Sequence, residues 1–182
     1  KFGAWTVFKN ISFSIETANS LAITGPNGSG KSTLLQIIAG LQPPSSGIIL
    51  RKMNGEELKQ DDFSSRFSFT GPQINPYDML TATENLFFTI QGSDAKERIN
   101  AMLDYFDLYP HRNKLLKYYS SGMKQRLKLI HSLVNDPDII LLDEPGTNLD
   151  NTGRDKLYSK IVELKSNRLI VIASNEKEEI NL

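Results

Sequence analysis

Gly25-Pro26-Asn27-Gly28-Ser29-Gly30-Lys31-Ser32-Thr33 decides how this chain is read. The nonapeptide fits G-x-x-x-x-G-K-[ST], a loop whose backbone N–H groups cradle phosphates. A strand is predicted just before it, Ser20 to Thr24, and a helix just after it, Lys31 to Ala39, stopped by Gly40. Three glycines, Gly25, Gly28 and Gly30, let the loop fold back so that successive N–H groups point inward. The helix adds the positive end of its dipole at the same place. Lys31 is then placed to reach the β- and γ-phosphates as a flexible point charge, and the Ser32 hydroxyl to face Mg²⁺. The competing explanation is the glycine-rich turn of a dinucleotide fold. Lys-Ser directly after the last glycine weighs against it and for a nucleoside triphosphate.

The 182 residues suit one α/β domain with a substantial core. Hydrophobic residues make up 39% and charged residues 23%, ordinary values for a globular chain. Lys plus Arg and Asp plus Glu number 21 each, so the polyanion footprint of a nucleic-acid binder is missing. With no cysteine, disulfides and thiolate metal sites are excluded. No run approaches the roughly 18 apolar residues of a membrane span, so any membrane role is expected to come through a partner.

Outward from the loop, alternating apolar residues predict a strand over Val7 to Glu16, and short strands at Ile48 to Leu50 and Phe67 to Thr70. Thr81 to Lys117 has helical periodicity and reads as an insertion between strands of the sheet. Met123 to Val134 reads as a further helix, and Ile139 to Leu142 as a strand buried on both faces. A helix around Arg154 to Lys165 and a final strand, Leu169 to Ala173, complete an α/β pattern.

Asp143 and Glu144 follow the apolar strand directly, where open α/β sheets place their ligands. Asp143 suits the Mg²⁺ shell. Glu144 suits orientation and deprotonation of a water attacking the γ-phosphorus. Two solvated acids in a loop are the bland alternative. Ser120-Ser121-Gly122-Met123 opens the next helix upstream and reads, taken alone, as an N-cap, although free N–H groups there also suit an anion.

Together these segments resemble the nucleotide-binding subunits of ABC transporters over essentially the whole chain. Gly25 to Thr33 resembles the family's Walker A and Ile139 to Glu144 its Walker B. Ser120 to Gln125 is similar to a relaxed Leu-Ser-Gly-Gly-Gln signature, and Thr147 to Asp150 to the D-loop. Gln73 matches the glutamine that reads Mg²⁺ and the γ-phosphate and couples to the permease. Phe2 stands where the family stacks an aromatic on adenine. Ser120 to Leu127 and Ala173 to Glu176 resemble most the haem-exporter ATPases of cytochrome c maturation.

The resemblance implies a P-loop NTPase (RecA-like) core with a mainly parallel sheet, an antiparallel β edge and a helical subdomain over roughly residues 75–135. It implies one ATP-binding domain across 1–182, expected to be trimmed at both ends. It also implies ATP and Mg²⁺ as ligands, with Ser32, Gln73 and Asp143 at the metal. Two subunits, alike or different, would sandwich ATP head to tail and drive a separate membrane permease from the cytoplasmic face of the plasma membrane. Pro76, Tyr77 and Met79 are the expected permease contacts. The family's histidine is replaced by Asn175, whose amide can donate a hydrogen bond but carry no charge. Hydrolysis is therefore expected to depend on Glu144, with Lys31, Gln73 and Asn175 assisting. A non-transport ABC-type ATPase acting on nucleic acid or ribosomes, and a P-loop small-molecule kinase, are the rival classes.

Overall fold

The computed structural model describes residues 6–16, 18–53, 55–90 and 92–181. In chain order its elements begin with β1 (Ser20–Ile23), α1 (Lys31–Ala39), β2 (Lys52–Met53), β3 (Glu56–Glu57), α2 (Gln60–Ser64) and β4 (Phe67–Thr70). Helices α3 (Ala82–Phe87), α4 (Ala95–Tyr105) and α5 (Ser121–Leu133) follow, with 3₁₀ turns at Tyr109–His111 and Leu116–Tyr118. β5 (Ile139–Asp143), α6 (Asn151–Leu164), β6 (Leu169–Ala173) and α7 (Lys177–Ile180) close the chain.

β1, β6, β5 and β4 form one parallel sheet in that spatial order. Parallel pairing demands crossovers, and the helices supply them. The register is regular: Ile23 lies beside Ala173, Ala173 beside Asp143, and Leu142 beside Thr70. All four strands therefore end at one edge.

The uninterrupted apolar runs of β5 and β6 have a simple cause. Leu141, Val171 and Ala173 pack with Leu35 and Ala39 of α1 on one face. Ile140, Leu142, Ile170 and Ile172 face the larger core on the other, which holds Leu127, Leu157 and Ile161. Alternate side chains point to opposite faces, and both faces are covered. The same large core continues into the helical region through Leu86, Ile99, Leu103 and Phe106. Every described element between β4 and β5 is helical. A reciprocal capping box between Thr81 and Glu84 starts α3.

Two predicted strands are absent. Residues 6–16 and 48–50 carry no strand, and Ile11, Phe13 and Ile48 stay exposed there, Ile48 by 86%. Alternation proposes a strand, but only pairing with a neighbouring edge makes one, and among the described residues neither segment pairs. The antiparallel pairing is instead β2 with β3, where Lys52 faces Glu57 and Met53 faces Glu56.

Candidate nucleotide site

The glycine-rich loop leaves β1 and enters α1 with Gly30 as its N-cap, in the left-handed region at φ 97°. A Cβ there would also lie 2.1 Å from Cγ1 of Val7, so only glycine fits. Lys31 is buried, and its ammonium donates across the loop to the carbonyls of Gly25 at 2.8 Å and Pro26 at 3.3 Å. A cavity of about 410 Å³ opens on this loop, lined by Val7, Asn27, Gly28, Lys31, Ser32 and Glu144, among others. The P-loop and the acid after β5 thus meet in one space, as their common sheet edge requires. A larger groove of about 610 Å³ lies between β4 and the C-terminal end of α5 and contains none of these residues.

Asp143 is 2% exposed at the end of β5. Burial pushes its carboxyl up, the Ser32 hydroxyl hydrogen-bonded to it pulls it down, Glu144 raises it and Lys31 lowers it. Its Oδ1 is buried without a hydrogen-bond partner. A buried, unpaired carboxylate oxygen beside a hydroxyl is a donor set that suits a hard divalent cation such as Mg²⁺. Among the described residues no group of three or more His, Cys, Asp or Glu side chains forms. A cation here would therefore complete its shell with phosphate and water oxygens, as Mg²⁺ does.

Glu144 begins a turn in an unusual backbone state. Its φ is 49°, and Asn148 in the same turn has φ 65°. Left-handed backbone costs a residue such as glutamate roughly 1 to 2 kcal/mol, so the surroundings must hold it. Three segments do so. Glu144 N–H donates to Ala173 O of β6 at 2.8 Å. Pro145 O accepts from Gln125 Nε2 of α5 at 2.8 Å. Gly146 N–H donates to Glu179 Oε1 of α7 at 2.7 Å.

Other predicted site residues lie around this centre. Asn175 follows β6, and its amide donates to the Asn27 side-chain oxygen at 2.7 Å, which brings it to the P-loop. Gln73 is exposed and accepts from Gln36 of α1 at 3.2 Å, and it does not line the cavity. Ser120 caps α5, its hydroxyl accepting from Met123 N–H at 3.2 Å. Ser121, Gly122 and Met123 form the first turn of α5, and none of the four lines the P-loop cavity. A Cβ on Gly122 would stand 3.0 Å from Asn148 O, so α5 begins hard against the turn that follows Glu144. Asp150 caps α6 through Gly153 N–H and pairs with Arg126 at 2.6 Å. The Arg126 hydrogen bond, chiefly, holds its carboxyl below the usual range. Phe2 lies outside the described residues.

Sequence reasoning missed three contributors. Val7, read as the start of a strand, lines the cavity as a loop residue. Gly146 reads as an ordinary turn glycine, yet a Cβ there would fall 2.2 Å from Glu179 Oε1. Glu179 stands beside Glu178 and near Glu176, both exposed, but it is itself 1% exposed. No local signal separates it from its neighbours.

A protein-family model described as "ABC transporter" matches residues 8–147. The "Uncharacterized ABC transporter ATP-binding protein YxlF" of Bacillus subtilis is 36% identical over 92% of this chain and 57% of its own length. The "Linearmycin resistance ATP-binding protein LnrL" of Bacillus subtilis is 30% identical over 98% of this chain and 60% of its own length. The chain thus spans about three fifths of these relatives. Among solved structures, a dimeric post-hydrolysis state of the ATP-binding cassette MJ0796, bound to ADP and Pi, superposes with a TM-score of 0.80. That match has 28% identity and covers 93% of this chain and 80% of the other.

Proposed function

Because the chain belongs to the ABC transporter family, as an ATP-binding ATPase domain with the P-loop NTPase fold, we propose that it powers a separate membrane permease through an ATP-sandwiched dimer. One observation carries the reading. The phosphate loop and Glu144 line a single cavity, with the buried, unpaired Oδ1 of Asp143 beside it.

In this reading Lys31 exchanges the carbonyls of Gly25 and Pro26 for the β- and γ-phosphates of ATP. The N–H groups from Gly28 to Thr33 receive the remaining oxygens. Ser32 and Asp143 would hold Mg²⁺, with Gln73 joining them, and the ion would neutralise charge developing on the phosphates. Glu144 orients the attacking water and takes its proton. Asn175, already against Asn27, offers its amide to the γ-phosphate. Ser120 and the first N–H groups of α5, which do not line their own cavity, serve the ATP held by a second subunit. Phe2 is assigned to the adenine.

The chain is one ATP-binding domain with its helical part at about 75–135, working at the inner face of the plasma membrane. Support for a permease partner comes from the family and from an exposed apolar patch beyond Gln73. There Tyr77 is 69% exposed, Met79 66% and Phe88 74%, and the rings of Tyr77 and Phe88 lie 6.2 Å apart. Among the described residues no helix is long and apolar enough to cross a membrane. Kinship with haem-export ATPases rests on Ser120 to Leu127 and Ala173 to Glu176 alone.

The test uses full-length Glu144→Gln protein and light scattering. ATP should convert it to a dimer that does not turn over, and Ser120→Arg should abolish the dimer. Undiminished ATP hydrolysis by Glu144→Gln would sink the assignment of Glu144. A monomer that binds ATP would sink the sandwich.

A further inference from the structure

We propose that Glu179 is a positioning residue of the ATPase site, its buried carboxylate tying the turn that bears Glu144 to the segment that bears Asn175. The inference rests on the ATPase reading given above and assigns that site a residue the reading does not use.

Glu179 sits in α7 and is 1% exposed. Its Oε1 accepts from Gly146 N–H at 2.7 Å, and Gly146 is itself buried two residues after Glu144. The Ser174 hydroxyl favours the charged form of this carboxylate, and Ser174 immediately precedes Asn175. Arg154 of α6 is close enough to act on its charge. One side chain therefore joins α7 to the turn after β5, with Ser174 and Arg154 acting on its charge. Burial works against its charge, and its Oε2 is buried with no partner. Such a group persists where its other oxygen holds a backbone N–H that would otherwise be stranded.

The geometry explains why that backbone needs holding. Glu144 and Asn148 both adopt left-handed conformations without being glycine. Gly146 lies midway between them, and the Glu179 bond fastens that midpoint. The ladder bond from Glu144 N–H to Ala173 O and the Gln125 bond to Pro145 O secure only the first half of the turn. A Cβ at position 146 would lie 2.2 Å from Glu179 Oε1 and 3.5 Å from the Tyr158 hydroxyl, so glycine is what admits the carboxylate. The turn's own bonds, from Thr147 N–H to Glu144 O and from Leu149 N–H to Gly146 O, tie Gly146 to no other element. Loss of the Glu179 bond therefore releases a point two residues from Glu144 and lets its carboxylate wander from the water it must orient. A shift of about 1 Å is enough to cost up to a hundredfold in rate.

The experiment compares full-length wild type, Glu179→Ala, Glu179→Gln and Gly146→Ala by steady-state ATP turnover and by amide hydrogen exchange at Gly146. In Glu179→Ala, kcat should fall about tenfold or more while KM for ATP stays within about twofold. Exchange at Gly146 should accelerate by about tenfold or more. Glu179→Gln should restore most of both, because its amide oxygen still accepts from Gly146 N–H. Gly146→Ala should reproduce the loss of kcat and add little to Glu179→Ala in the double variant. An unchanged kcat in Glu179→Ala, unchanged exchange at Gly146, or a Gln variant as slow as the Ala variant would each overturn the proposal. Should Glu179→Ala fail to fold, the Gln variant and Gly146→Ala decide it. A wild type that hydrolyses no ATP would instead refute the ATPase reading, with exchange at Gly146 still reporting on the tie itself.

Discussion

Gln125, only 9% exposed, reaches from the helix that Ser120 caps to the residue after Glu144, its Nε2 donating to Pro145 O at 2.8 Å. The helix read as facing a second subunit's ATP is thereby braced on the turn read as hydrolytic. One buried bond therefore joins the two elements.

Gln125→Met should therefore cost stability as well as turnover. It keeps the volume but leaves Pro145 O without its donor, which costs roughly 1–3 kcal/mol. Urea unfolding is expected to show a lower midpoint at unchanged slope, with reduced ATP hydrolysis. An unchanged midpoint would mean that Pro145 O finds another donor.

Asp143 sets function against stability. Burial raises its carboxyl and Oδ1 has no partner, so a charge there comes at a cost. Asp143→Asn should stabilise the nucleotide-free protein by about 0.5–2 kcal/mol while removing Mg²⁺-dependent ATP hydrolysis. Calorimetry without nucleotide and turnover with Mg²⁺ together decide it. A lower Tm would refute the cost.

Asn85 is 4% exposed and holds the exposed segment before α3 by its backbone. Its Oδ1 accepts from Tyr77 N–H at 2.7 Å, and its Nδ2 donates to Tyr77 O at 3.1 Å and Thr81 O at 2.9 Å. Asn85→Ala strands these groups, so a loss of roughly 1–3 kcal/mol and faster amide exchange at Tyr77 are expected. If the patch of Tyr77 and Phe88 meets a permease, the same variant should weaken co-purification with it.

Tyr119 predicts alkaline behaviour. Burial pushes its phenol up to about 12, and its hydroxyl donates to His111 O at 2.8 Å. An unfolded tyrosine ionises near 10. The native state thus retains a proton the unfolded state gives up, so the contribution of Tyr119 to stability is flat below about pH 10 and falls as pH rises towards 12. Tyr119→Phe should lose about 1 kcal/mol at neutral pH and flatten that alkaline decline. Denaturant midpoints from pH 8 to 12 provide the measurement.

The sequence by itself determined whatever a short stretch encodes through its own chemistry. The strand Leu169–Ala173 and the helix Lys31–Ala39 lie where the pattern puts them, because unbroken apolar runs and a terminal glycine act locally. Gly25 to Thr33 and Asp143-Glu144 stand out for the same reason, as fixed residue types at fixed spacing, and the fold brings the loop and Glu144 to one cavity. Tertiary structure decided what depends on distant partners. Residues 6–16 alternate like a strand yet carry none, since a strand exists only against a neighbouring edge. Gly146 and Glu179 are ordinary residues 33 positions apart until the sheet sets the ends of β5 and β6 side by side and a carboxylate takes the room a Cβ would need. Periodicity carries information about a residue's own neighbourhood, while a buried bond between two turns exists only once the chain has closed around it.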